Sequence, residues 1–120
     1  MPSLGKVALD HFYHPRNAGE LSGADGIGEE GTPGDGPFMR IFVRIEAGAV
    51  AEASFLTYGC AAAIASCSLL TETVKGMAVD EAKEVTAEEL AEALGGLPLG
   101  KRHCPRMAVA ALGKALDRRR

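Results

Sequence analysis

Seven side chains in this sequence could do chemistry beyond packing. They are the thiols of Cys60, Cys67 and Cys104, the imidazoles of His11, His14 and His103, and the Asp35 carboxylate in Gly34–Asp35–Gly36. Cys60 stands between a strand-like run and an Ala-rich segment. Cys104 directly precedes Pro105, a residue suited to the first position of a helix. Both thiols are therefore predicted at or beside helix N-termini. Unpaired N–H groups and the positive dipole end favour a thiolate there and lower the thiol pKa. A thiolate is both nucleophile and metal ligand, and the neighbouring imidazole of His103 adds a donor that suits zinc or iron. A His-Cys pair is not a CxxC knuckle, so a solvated loop histidine remains open for His103.

Cys67 lies seven residues after Cys60. On one helix that is about 10 Å further along, too far to share a metal ion. It recurs at helical spacing with Ile64, Leu70 and Val74 and reads as a small core residue. Asp35 between glycines suits a turn on composition alone. His11 reads as a packing or capping residue, and His14-Pro15 as the end of a helix.

The elements that must position these groups follow from periodicity. Ser3 is a plausible N-cap, followed by Leu4, Val7, Ala8, His11 and Phe12 at helical spacing. Gly19 to Pro37 holds seven glycines and reads as one long loop. Alternation from Phe38 to Glu46, the Ala47-Gly48 turn and a second run from Val50 to Tyr58 predict an antiparallel hairpin. A helix is expected over Ala61–Lys75, a turn or two over Val79–Lys83, and a short helix opened by the capping box Thr86-Ala87-Glu88-Glu89. Leu97-Pro98-Leu99-Gly100 is a connector, and Pro105 opens a last helix with Ala108, Ala111, Leu112, Ala115 and Leu116 on its apolar face. The order α-β-β-α-α-α without repeats predicts a single α+β domain over 1–120, a small antiparallel sheet with helices packed on one face.

Composition limits function. The 120 residues are 47% hydrophobic and 24% charged, which excludes an intrinsically disordered chain. No apolar run is long enough for a membrane span, and Met1 to Phe12 do not read as a secretory signal, so a cytoplasmic protein is expected. Three cysteines do not make a disulfide framework. A net charge of −3 argues against a nucleic-acid partner. The charge is uneven, because from Lys101 onward seven cations face only Asp117. This is either a helix end complementing its dipole or a docking patch for an acidic partner.

The chain resembles the IscU/NifU-type scaffold family for iron–sulfur cluster assembly, with a SufE/NifU-like fold implied. The resemblance runs from about Lys6 to about Leu116. It rests on Asp10-His11-Phe12-Tyr13-His14-Pro15-Arg16-Asn17, on Phe55 to Ser66 with its Thr57-Tyr58-Gly59-Cys60 centre, on Leu69-Leu70-Thr71-Glu72 with Val74-Lys75-Gly76, and on Lys101-Arg102-His103-Cys104. Cys60, His103 and Cys104 fall on three family ligands. In the loop that carries the family's first cysteine, Asp35 takes the Cys position and Pro37 the position of the family's Asp. The resemblance implies a ligand set of Asp35, Cys60, His103 and Cys104 for iron or a [2Fe–2S] cluster, with zinc a possible occupant of the isolated protein. It implies a scaffold rather than an enzyme, which receives sulfur from a cysteine desulfurase and passes clusters to apo iron–sulfur acceptor proteins. The family's chaperone-binding stretch is altered to Leu97-Pro98-Leu99-Gly100-Lys101, so recognition by an Hsp70-type chaperone is expected to be weak or absent. A zinc-binding or persulfide-accepting homologue that assists or regulates a desulfurase without holding a stable cluster is the alternative. A Cys–His nucleophilic enzyme is disfavoured, because no oxyanion-type loop or orienting third group stands out.

Overall fold

The computed structural model describes residues 4–97 and 99–117. Its elements are α1 (Lys6–Tyr13), β1 (Gly26–Gly31), β2 (Phe38–Glu46), β3 (Ala49–Tyr58), α2 (Ala61–Val74), α3 (Val79–Lys83), α4 (Ala87–Ala93), a 3-10 turn (Leu99–Lys101) and α5 (His103–Asp117). Ser3, expected as the first N-cap, lies outside the described residues. Helix α1 starts at Lys6 with Gly5 at its N-cap.

The three strands form one antiparallel sheet in the order β1-β2-β3. The hairpin is as expected. Glu46 pairs with Ala49, and both loop residues, Ala47 and Gly48, take the positive φ that a two-residue turn requires. The long loop expected from Gly19 to Pro37 is corrected, because it contains β1. The glycines that suggested a loop serve close packing instead. Gly26 and Gly28 lie directly under α5, where an added Cβ would run into the carbonyl oxygens of Ala115 and Ala111. Only glycine lets a strand backbone approach a helix backbone this closely.

Alternation sorts the sheet faces. Met39, Ile41 and Val43 of β2 sit opposite Thr57, Phe55 and Ala53 of β3 on the face toward the core. Helix α5 covers β1 and β2, and α2 covers β3. Helix α1 packs on α2, and α4 packs on α5 and α2. The shared core includes Leu70, Val74, Leu90, Leu94, Leu112 and Leu116, with alanines where the helices come closest. On the other face, Arg40 pairs with Glu29 at 2.5 Å, Arg44 bridges Glu46 and Glu52, and Phe38 stacks on Tyr58. Thr86 caps α4 as expected, its hydroxyl accepting from Glu89 N–H at 3.1 Å. Among the described residues, no helix is long and apolar enough to cross a membrane.

Candidate metal centre

Cys60 is the N-cap residue of α2, held in extended backbone geometry where β3 has ended and the helix begins. Its carbonyl accepts the N–H groups of Ala63 and Ile64, which starts the helix. Its thiol is half-buried. Burial alone would raise the thiol pKa. The backbone N–H groups of Ala63 and Ala62, the Lys101 ammonium and the Cys104 thiol outweigh it and hold Cys60 below its ordinary value.

Helix α5 begins at His103, so Cys104 lies in its first turn, at the helix N-terminus as expected, while Pro105 takes the third position rather than the first. Pro105 is tolerated there because first-turn N–H groups have no partner inside the helix. The expected lowering of the Cys104 thiol is also corrected, since it is pushed up to about 12. Desolvation is the largest cause, followed by the charge of a Cys60 thiolate beside it and the hydrogen bond shared with that thiol. Lys101 offsets only part of this. Burial thus overrides the helix end.

The two cysteines, far apart in sequence, therefore meet where α2 and α5 begin. His103 is exposed, with Nε2 3.6 Å from the Cys104 sulfur. Lys101, on the turn before α5, supplies the nearby positive charge. Cys67 is fully buried in the core, where desolvation raises its thiol strongly and the neighbouring Cys104 adds to the effect. Asp35 lies exposed on the turn between β1 and β2, its N–H donating to the Thr32 carbonyl at 3.0 Å. Among the described residues, no group of three His, Cys, Asp or Glu side chains is already arranged to hold a metal ion. The fold brings Cys60, Cys104 and His103 to one place by pairs.

A polar clamp steadies α2, the helix that carries Cys60. His11 on α1 is buried, and its Nδ1 lies 2.7 Å from the Ser68 hydroxyl. The same hydroxyl accepts the Arg16 backbone N–H at 2.9 Å. Asn17 donates to Thr71 at 3.3 Å, and its carbonyl accepts Phe55 N–H from the edge of β3. Glu72 faces both His11 Nε2 and Arg16. Burial, and then Arg16, lower the His11 pKa against the opposing pull of Glu72 and Asp10.

Residues 4–119 match the family described as NifU-like N terminal domain. The chain belongs to that family. It is 45% identical over 108 residues to the iron-sulfur cluster assembly scaffold protein IscU 1 of Archaeoglobus fulgidus, covering 90% of this chain and 71% of that protein. It is 40% identical over 119 residues to the iron-sulfur cluster assembly scaffold protein IscU of Buchnera aphidicola, covering 96% and 93% of the two chains. The crystal structure of the N-terminal part of a nitrogen-fixing NifU-like protein from Brucella abortus shares the fold, with a TM-score of 0.69 at 17% identity over 95% of this chain and 92% of that one.

Reading this NifU-like domain from its sequence left the clamp partners Ser68, Thr71 and Glu72 without a role. A signal was present. Ser66, Ser68 and Thr71 interrupt the apolar residues of α2 and are all buried. Buried hydroxyls require partners, and the His14-Pro15-Arg16-Asn17 turn and the α2 backbone provide them.

Proposed function

We propose that this NifU-like domain is a scaffold on which an iron–sulfur cluster is assembled and from which it is handed on. The observation that carries the reading is the meeting of Cys60 and Cys104 at two helix starts, with His103 beside them and Lys101 close by. Thiolates and an imidazole are the donors iron and its sulfide clusters take. Family membership and relatives named as scaffold proteins support the same conclusion. The cluster is cargo rather than a resident group.

The chemistry divides between the two thiols. Cys60, held toward its thiolate, attacks the outer sulfur of a persulfide carried by a cysteine desulfurase. The new bond is Cys60 S–S, the donor's S–S bond breaks, and the donor leaves as thiolate. Cys104 stays protonated until a cation arrives and displaces its proton. Cys60, Cys104 and His103 then ligate, and Asp35, on a glycine-flanked turn, supplies the fourth donor. A carboxylate oxygen is harder than a thiolate, so a cluster with this fourth donor is held less firmly and released more readily to an apo acceptor. The protein works without a membrane and without nucleic acid, in the cytoplasm.

Anaerobic reconstitution with ferrous iron and sulfide tests this reading. Iron and acid-labile sulfide should bind together in equal amounts, and Cys60→Ser or Cys104→Ser should abolish retention. Asp35→Cys should slow cluster loss to a chelator, and Asp35→Ala should hasten it. Zinc bound without labile sulfide would refute the scaffold reading. An Asp35→Ala protein with unchanged retention would remove Asp35 from the ligand set.

A further inference from the structure

Asp35 stands on a loop that the core does not hold, since every residue from 31 to 37 is exposed. The loop has a shape of its own. Pro33 and Gly34, the latter at φ +84°, fill the centre of a turn that the Asp35 N–H closes on the Thr32 carbonyl at 3.0 Å. Where this turn sits is decided at the base of the loop. On one side Gly31 pairs with Phe38, at positive φ and so close to the Pro37 carbonyl that no side chain would fit. On the other side Phe38 pairs with Tyr58 and stacks on its ring. Asp35 comes three residues before Phe38, and Cys60 two after Tyr58. The register therefore brings the Asp35 turn and the start of α2 to the same end of the sheet.

One side chain ties these two strand ends together. The Thr57 hydroxyl donates to the carbonyl of Phe38, the first residue of β2, at 2.7 Å. Thr57 lies directly opposite Met39, so its hydroxyl reaches one residue past its own partner, toward the loop. Valine would suit a strand position as well, so the strand itself does not call for a hydroxyl here. We propose that Thr57 is a positioning residue for the metal centre. Its bond to Phe38 latches the base of the loop to β3 and so holds the Asp35 carboxylate where it can join Cys60. The inference rests on the scaffold reading with Asp35 as the fourth donor. Thr57 acts through the loop rather than on the cargo. A loop without core contacts must lose its freedom when its carboxylate ligates, and a fixed base reduces that loss beforehand.

Two measurements on the whole chain test this. Hydrogen exchange of the metal-free protein reads the latch, and zinc affinity by competition with a chromophoric chelator reads its effect on the site. Zinc is the probe because it takes thiolate, imidazole and carboxylate donors. Thr57→Val should speed exchange of the loop amides while those in the middle of β2 and β3 keep their native rates. It should weaken zinc binding about two- to tenfold, the range one neutral hydrogen bond carries. Thr57→Ser keeps the hydroxyl and should restore both. In an Asp35→Ala background, Thr57→Val should cost no further affinity. Native loop exchange in Thr57→Val overturns the proposal, and so does acceleration spread evenly over the sheet. A zinc loss that persists in full beside Asp35→Ala also overturns it, because Thr57 then acts through another ligand. Asp35→Ala with native zinc affinity marks the separate failure of the ligand reading, and leaves Thr57 no carboxylate to position.

Discussion

Alkylation by iodoacetamide should separate the three thiols of the metal-free protein by rate. Raising the Cys104 thiol from its ordinary 9.0 to about 12 makes its thiolate about a thousandfold scarcer at neutral pH. Part of that loss is returned, because a more basic thiolate is intrinsically more nucleophilic. With a Brønsted slope of about 0.4–0.5, the return over the same interval is about thirtyfold, leaving Cys104 about thirtyfold slower than an ordinary cysteine before steric access is considered. Cys60 moves the opposite way and is only half-buried, so it should be alkylated first. Cys67, buried in the core with a strongly raised thiol, should react only on unfolding. Peptide mass spectrometry over a time course at pH 7.5 resolves the three sites. The two site thiols are coupled, so Cys60→Ser removes the neighbouring charge that helps raise Cys104 and should speed its alkylation, while burial keeps it slower than native Cys60. Cys104 reacting as fast as Cys60 in the native protein would refute the argument that desolvation overrides the helix N-terminus at this position.

Four further outcomes follow from the packing. His11 has a lowered folded pKa, so the unfolded chain takes up its proton first. Stability should therefore fall as pH drops through the unfolded value near 6.5 toward the lowered folded value and level off below it, and His11→Gln should flatten this slope in urea midpoints measured from pH 5 to pH 8. Gly28→Ala drives a methyl group into the α5 backbone and should cost about 1–3 kcal/mol in chemical denaturation. Gly113→Ala has open space on helix α5 and should instead stabilise by about 0.4–1 kcal/mol. Thr86→Ala removes the cap on α4 and should cost about 1 kcal/mol, read by the same melts.

Much of this molecule is written in near-neighbour patterns. The alternation from Phe38 to Tyr58 with a two-residue turn, the Thr86–Glu89 box, the apolar stripe of α5 and the placing of Cys60 at a helix start were all readable from the sequence, because each depends on residues within one or two turns of the chain. The core role of Cys67 was readable for the same reason, from its spacing with Ile64, Leu70 and Val74. Other features depended on contacts between distant segments. The glycines of β1 could not be told from loop glycines until α5 was seen lying on them. The Cys104 thiol could not be assigned its direction from a helix end, because desolvation and the charge of Cys60 are properties of the assembled core. The His11–Ser68 clamp likewise joins residues that no local period relates. Local sterics and hydrogen bonding set the elements; burial and long-range electrostatics, which exist only once those elements pack, set what the thiols at their ends can do.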